Sequence, residues 1–198
     1  MATFKDYLEL GKFKETLLLV FGGVAGGALT KEFNLPFLLL IISLFLAVMG
    51  TNAITNYIDR DIDSVMERTK KRPIPSGRIK PEKAVYFGAI LIILSSILLL
   101  YFSFYYALLW IIFGIIFDPF LYNWFTKRKT PWNIIIGSFA GGAPVLVVWS
   151  GLNNSIISVT PFLLMLTIFL WTPIHIWSLA IRYVDDYRRA KVDRKSVV

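Results

Sequence analysis

Long apolar runs, separated by short polar stretches dense in charge, set the pattern of the chain. Runs such as PFLLLIISLFLAVMG and AILIILSSILLLYF show neither the alternation of a half-buried strand nor a polar helical face, so they read as helices that are apolar all round. Six stretches approach the ~20 residues that cross ~30 Å of hydrocarbon: 16–30, 35–58, 84–102, 106–125, 133–151 and 160–181. The first is the weakest, because Lys12, Lys14 and Glu15 crowd its start. The pattern predicts an all-α, polytopic integral membrane bundle of about six transmembrane helices, forming a single domain over residues 1–198.

Composition agrees. Hydrophobic residues make up 56% of the 198 and charged ones 17%, against about 45–50% and about 25% in a typical globular domain. All 21 Lys and Arg except Lys31 lie before the first span, between the second and third, between the fourth and fifth, or after the last. The positive-inside bias then puts both termini and the charged loops on the cytoplasmic side of the cell membrane. A net charge of +8 confined to such loops points to topology, anionic lipid or a phosphorylated substrate rather than nucleic acid. The start, MATFKDYLELGKFKE, lacks the basic-then-apolar form of a cleavable leader, and none is expected. There is no Cys, which excludes disulfides and thiolate chemistry, and His175 is the sole His, which excludes a multi-histidine metal site.

The densest polar stretch follows the second span. If that helix runs on past Ile58, then Asn52, Asn56, Asp59 and Asp63 fall at i, i+4, i+7 and i+11 on one stripe, while Asp61 points elsewhere. Amide and carboxylate oxygens are hard ligands of the kind Mg²⁺ takes, one or two carboxylates with water and phosphate completing the shell. A solvated helix end with ion pairs to Arg60 and Arg68 explains the same stripe, and so does an ion path in a small transporter or lipid-binding protein. The sequel favours a diphosphate site: Arg68, Lys70, Lys71 and Arg72 come next, and the PIPSG turn is placed to fold these bases back over the acids.

NYIDRDIDSVMERTKKRPIPSG resembles the first aspartate-rich motif of the UbiA-type intramembrane prenyltransferases, which use Mg²⁺ and an isoprenyl diphosphate. Thr55, a poorer ligand, is left out of the implied metal set. The later segment WTPIHIWSLAIRYVDDYRRA lacks the second run of four-spaced acids common in that family, since Arg189 and Ala190 stand four beyond Asp185 and Asp186. It is similar instead to the corresponding segment of the heme O synthase branch, as is LYNWFTKRKTPWNIIIGSFAGGAPV between the two motifs.

The resemblance implies Mg-dependent transfer of farnesyl from farnesyl diphosphate to the vinyl group of heme B, making heme O; another aromatic or lipid acceptor is the alternative. It implies metal ligation by Asn56, Asp59, Asp63 and Asp186, and diphosphate binding by Arg68, Arg72, Lys127, Arg128 and Arg182. Asp59, Asp63, His175 and Tyr122 are implied in catalysis, Tyr122 on the leaving group and His175 as heme ligand or base. Trp124, Trp171 or Trp177 is placed to face a carbocation. The family fold has nine helices, so the chain is expected to supply its N-terminal two thirds, ending in DRKSVV in place of further spans; the oligomeric state is left open. Asp118, beside Pro119 in a span, is expected to satisfy backbone freed by the proline rather than to serve the pocket. Gly22, Gly23, Gly26, Gly27, Gly137, Gly141 and Gly142 are expected at close helix crossings.

Overall fold

The computed structural model describes residues 2–130 and 132–190. Pro131 and residues 191–198, including Lys191, Arg194 and Lys195 of the C-terminal basic cluster and the DRKSVV tail, lie outside the described residues. The described chain is helical between its turns: α1 (Phe4–Leu10), α2 (Phe13–Ala28), α3 (Leu35–Ile58), α4 (Arg60–Val65), α5 (Pro81–Tyr101), α6 (Tyr105–Ile115) with a π-helical continuation (Ile116–Thr126), α7 (Asn133–Asn153), α8 (Val159–Arg182) and α9 (Val184–Arg189). In hydrocarbon every backbone N–H and C=O must be paired within the protein, and helices do this segment by segment.

Five of these segments are long and apolar enough to span a bilayer: α3, α5, α6 with its continuation, α7 and α8. The chain is a multi-pass membrane protein. The first expected span differs. α2 begins at Phe13, so Lys14 and Glu15 lie inside its first turn, and its 16 residues rise only about 24 Å.

α7 is the most enclosed span, flanked by α2, α3, α6 and α8. Four consecutive residues, Val145 to Val148, are all buried, which a helix achieves only with neighbours on every side. α5 and α8 instead turn Ile90, Ile93, Ile97, Leu163, Leu170 and Ile174 outward, the expected composition of a lipid-facing surface. α3 crosses α5 backbone to backbone. A Cβ at Gly50 would lie 2.6 Å from the Gly88 carbonyl oxygen, and one at Gly88 2.7 Å from the Gly50 oxygen. Ser95 Oγ also donates to the Ser43 carbonyl at 2.8 Å, a buried bond between the same helices. α2 meets α7 as closely, with Val145 O at 2.2 Å from a would-be Cβ of Gly26. Of the other expected crossing glycines, Gly22 has only ordinary contacts, the nearest at 3.5 Å.

Pro119 sits inside the π-helical run. Its missing N–H leaves a carbonyl one turn earlier without its ladder donor, and in the turns that follow side chains add bonds to the backbone: Asn123 Nδ2 donates to the Asp118 carbonyl at 3.0 Å, and Thr126 Oγ1 to the Leu121 carbonyl at 2.7 Å. At the amino end, Thr3 and Asp6 form a capping box on α1, and Arg78 bonds Asp6 and Glu9, tying α1 to the loop after α4.

Gly50→Leu forces a side chain against backbone, so it is expected to cost about 1–3 kcal/mol and lower the unfolding temperature in detergent, whereas Gly22→Ala leaves it unchanged. The N–H and hydroxyl of Thr3 hold the Asp6 carboxyl below the usual range, against its own burial and with added help from Arg78. A depressed carboxyl stabilises fully above its unfolded value and loses that contribution as pH falls through its folded one. Protection of the amides over residues 4–10, relative to the unstructured exchange rate at the same pH, is therefore expected to fall below about pH 4.

Candidate functional site

The helix does not run straight through the acidic stripe. α3 stops at Ile58, Asp59 turns with φ −87° and ψ 0°, and α4 restarts at Arg60. The Asp63 N–H still donates to the Asp59 carbonyl at 2.8 Å, so the turn offsets the stripe without dispersing it. Asn56, Asp59 and Asp63 are 3%, 4% and 4% exposed, and carboxylates are rarely so buried without partners. The partners are the bases downstream. Arg72 Nη1 donates to Asp63 Oδ2 at 2.7 Å and to Asn56 Oδ1 at 3.4 Å. Thr69 Oγ1 donates to the Asp63 carbonyl at 3.1 Å, closing the turn that brings Arg72 back.

A second cation arrives from the end of the π-helical run. Lys127 Nζ pairs with Asp59 Oδ2 and donates to Asn123 Oδ1 at 3.1 Å. Burial alone lowers its pKa, but Asp59, Tyr122 and Asp63 outweigh that and raise it, keeping the ammonium charged. Sequence reading missed Lys12 and Asn123. Lys12, in the left-handed region at φ 49° between α1 and α2, reaches Thr55 Oγ1 at 3.4 Å and interacts with Arg72, Asp59, Asp118 and Lys127. Its pKa is lowered, first by burial and then by Arg72. The available signal was a base directly preceding a span whose neighbour carries acids at the same membrane face. The buried face of Asn56 is fixed from α1, its amide donating to the Leu10 carbonyl at 2.6 Å.

An apolar cavity of about 230 Å³ lies between α2, α3, α6, α7 and α8, and it adjoins the polar cluster through Asp118, which interacts with Lys12, Asp59 and Lys127. Asn52, Asp118 and Tyr122 line it at the cluster end, and Leu44, Trp110 and Val147 at the other. Trp110 Nε1 donates at 2.8 Å to the carbonyl of Ile156, in the α7–α8 link, which locates that floor at the opposite membrane face. Asp118 serves the pocket rather than the proline break: it borders the cavity, its carboxylate accepts from Asn123 Nδ2 at 3.3 Å, and a carboxylate cannot donate to the carbonyl that Pro119 leaves without a partner. Trp124, Trp171 and Trp177 do not line it; its aromatic residues are Trp110 and Tyr122.

The remaining sequence-predicted residues gather elsewhere. Asp186, 5% exposed, accepts from the N–H groups of Glu67 at 3.1 Å and Arg68 at 3.2 Å and pairs with Arg189. Burial raises its pKa, and Arg189 with those two N–H groups more than reverses the effect, so it is lowered. Arg68, Arg182 and Asp186 border a second, open hollow. Arg128 pairs with Asp61 at 2.6 Å on the exposed side. His175 lies on an exposed face of α8, stacked on Trp171 with centroids 4.6 Å apart. Among the described residues no three His, Asp or Glu side chains converge as a metal cage. That suits a metal held by few protein oxygens. Asp59 Oδ1 is buried without a hydrogen-bond partner and sits with Asn56 and Asp63 in the same polar end, a hard-oxygen edge that fits Mg²⁺.

Comparison with known proteins places this architecture. The chain is 50% identical, over 94% of its length, to a protoheme IX farnesyltransferase of Thermoplasma volcanium, and 37% identical over 97% to one of Archaeoglobus fulgidus. It spans 66% and 68% of those relatives. The solved structure of a digeranylgeranylglyceryl phosphate synthase superimposes with a TM-score of 0.75 at 27% identity, covering 95% of this chain and 66% of that one. A UbiA homolog from Archaeoglobus fulgidus, bound to DMAPP and Mg²⁺, has the same fold, with a TM-score of 0.71 at 15% identity over 94% of this chain and 67% of its own. The model of the UbiA prenyltransferase family matches residues 16–198, and the chain belongs to that family.

Proposed function

We propose that the protein transfers the farnesyl group of farnesyl diphosphate to a vinyl group of heme B, making heme O, with Mg²⁺ as cofactor. The observation that carries this reading is one cavity with two chemistries. Asn52, Asp118 and Tyr122 form its polar end, which adjoins the buried acids and three cations through Asp118, and an apolar channel closed by Trp110 fills the rest. A prenyl diphosphate has the same division into a polyanionic head and a hydrocarbon tail. The choice of heme as acceptor rests on the two protoheme IX farnesyltransferases and on the WTPIHIW segment.

Asn56, Asp59 and Asp63 would hold Mg²⁺, which when bound neutralises diphosphate oxygens and makes the leaving group a weaker base. Asp186, expected in the same set, has its oxygens taken by the Glu67 and Arg68 N–H groups and Arg189 in the second hollow and is left out of it. Arg72, Lys127 and Lys12 oppose the same negative charge from the protein side, and Tyr122 is positioned to donate to the departing oxygen. Cleavage of the allylic C1–O bond leaves its electron pair on diphosphate and a farnesyl cation in the cavity. The vinyl π electrons then bond to C1, and water captures the resulting cation beside the porphyrin and loses a proton, giving the hydroxyethylfarnesyl group. The apolar walls keep other water from C1. His175 is retained as an acceptor-side base or ligand. The site faces the cytoplasm of a cell membrane, with the amino terminus and charged loops on that side.

Asp59→Ala and Asp63→Ala are each expected to lower heme O formation by more than about 100-fold, read by mass spectrometry of extracted hemes, and chelation of Mg²⁺ to abolish it. Prenyl diphosphate flux without covalent product would sink the enzymatic reading. His175→Ala should weaken heme binding or turnover; if both are unchanged, the residue has no part in the reaction. At Gly114 a would-be Cβ meets only Ala143 Cβ, at 3.9 Å, so a larger side chain projects into the channel. Gly114→Phe is expected to fold normally and bind dimethylallyl diphosphate, yet lose at least about tenfold in farnesyl diphosphate affinity.

A further inference from the structure

We infer that Arg68 and Arg182 form a two-guanidinium seat for the paired carboxylates of the acceptor, distinct from the diphosphate site. The inference rests on the heme reading above and specifies how that acceptor is held.

The charges in the second hollow are unequally satisfied. Glu67, Asp185 and Asp186 border it, and each acid has its own cation three residues on: Lys70 at 2.5 Å, Arg188 at 3.7 Å and Arg189. Asp186 is further committed to the N–H groups of Glu67 and Arg68. Arg68 and Arg182 border the same hollow, and among the described residues neither has an ion pair or a side-chain hydrogen bond. Both guanidiniums lie over one ring, that of Tyr183, at 5.4 Å and 5.6 Å from its centroid. Two uncompensated like charges on one ring repel, and a dianion between them relieves that repulsion. Guanidinium forks match carboxylates bidentately, and an aromatic face beside them suits a flat, conjugated ligand.

Position supports the same assignment. The diphosphate end already has Arg72, Lys127 and Lys12 around Asp59 and Asp63, and neither Arg68 nor Arg182 touches those acids. Ile176 of α8 lines the prenyl cavity, and Arg182 lies six residues further along that helix, about 9 Å by helical rise. Heme B has vinyl groups at one edge of its macrocycle and two propionates toward the opposite edge. A porphyrin with a vinyl at the cavity mouth thus directs its propionates along α8 toward the arginine pair.

The test compares heme B with heme B dimethyl ester, which lacks both negative charges. Binding to the protein in detergent micelles is followed by absorbance, and farnesyl diphosphate affinity is measured in parallel as a check that the site is folded. The wild type is expected to bind heme B at least about tenfold tighter than the diester. Arg68→Gln and Arg182→Gln should each lose about tenfold for heme B, lose nothing for the diester, and keep their farnesyl diphosphate affinity. Arg68→Lys, with its charge but no fork, should fall between. Equal binding of acid and ester by the wild type overturns the seat, and so does a loss confined to farnesyl diphosphate, which returns the arginines to the leaving group. Absence of any heme binding, with farnesyl diphosphate bound, removes the acceptor reading and the seat with it.

Discussion

Lipid supplies no hydrogen-bond partner, and this constraint organises the protein. A polar group drawn into the bundle is costly unless the chain supplies its partner, and the buried acids and amides at the site are held by one another and by neighbouring cations. Asn56 is held from α1, Asp63 from the turn after α4, Asp59 from Lys127, and Asp118 from Asn123. The contacts of Asn56 with Leu10 and of Asp59 with Lys127 join segments far apart in sequence. The apolar helices supply length and packing, and the polar end makes their mutual arrangement specific.

Buried ion pairs of this kind are weak sources of stability, because desolvation offsets much of their attraction. Their value here lies in preorganisation. Arg72 and Lys127 hold Asp63 and Asp59 in place, so that charges of both signs are fixed before an anion binds beside them and little rearrangement is needed. The π-helical run belongs to the same design. Just beyond Pro119, Asn123 donates to the Asp118 carbonyl and carboxylate and accepts from Lys127, so it positions that cation.

Much of this was legible in the sequence, for physical reasons that differ by feature. Span lengths and charge placement are one-dimensional properties, so α3, α5, α6 with its continuation, α7 and α8 correspond to predicted spans. α2 falls short because Lys14 and Glu15 are drawn into its first turn. The acidic stripe survives because the offset at Asp59 preserves the i→i+4 bond to Asp63. What periodicity does not report is which distant segment reaches a site. Lys12 enters through a left-handed residue between two helices, and Asn123 through a proline defect; neither leaves a repeat to count. The same limit applies to Arg68 and Arg182, which sequence grouped with the diphosphate and the fold gathers around Tyr183.

Asp186 links two stretches separated by more than a hundred residues, its carboxylate gripping the amide groups of Glu67 and Arg68. That grip has a temporal meaning during synthesis. The loop carrying Arg68 and Arg72 leaves the ribosome early, while its clasp is made only after the last described span has emerged. Until then the loop can fold back on Asp63 but lacks its outer fastening, so this corner is completed only after α3, α5, α6, α7 and α8 have been made.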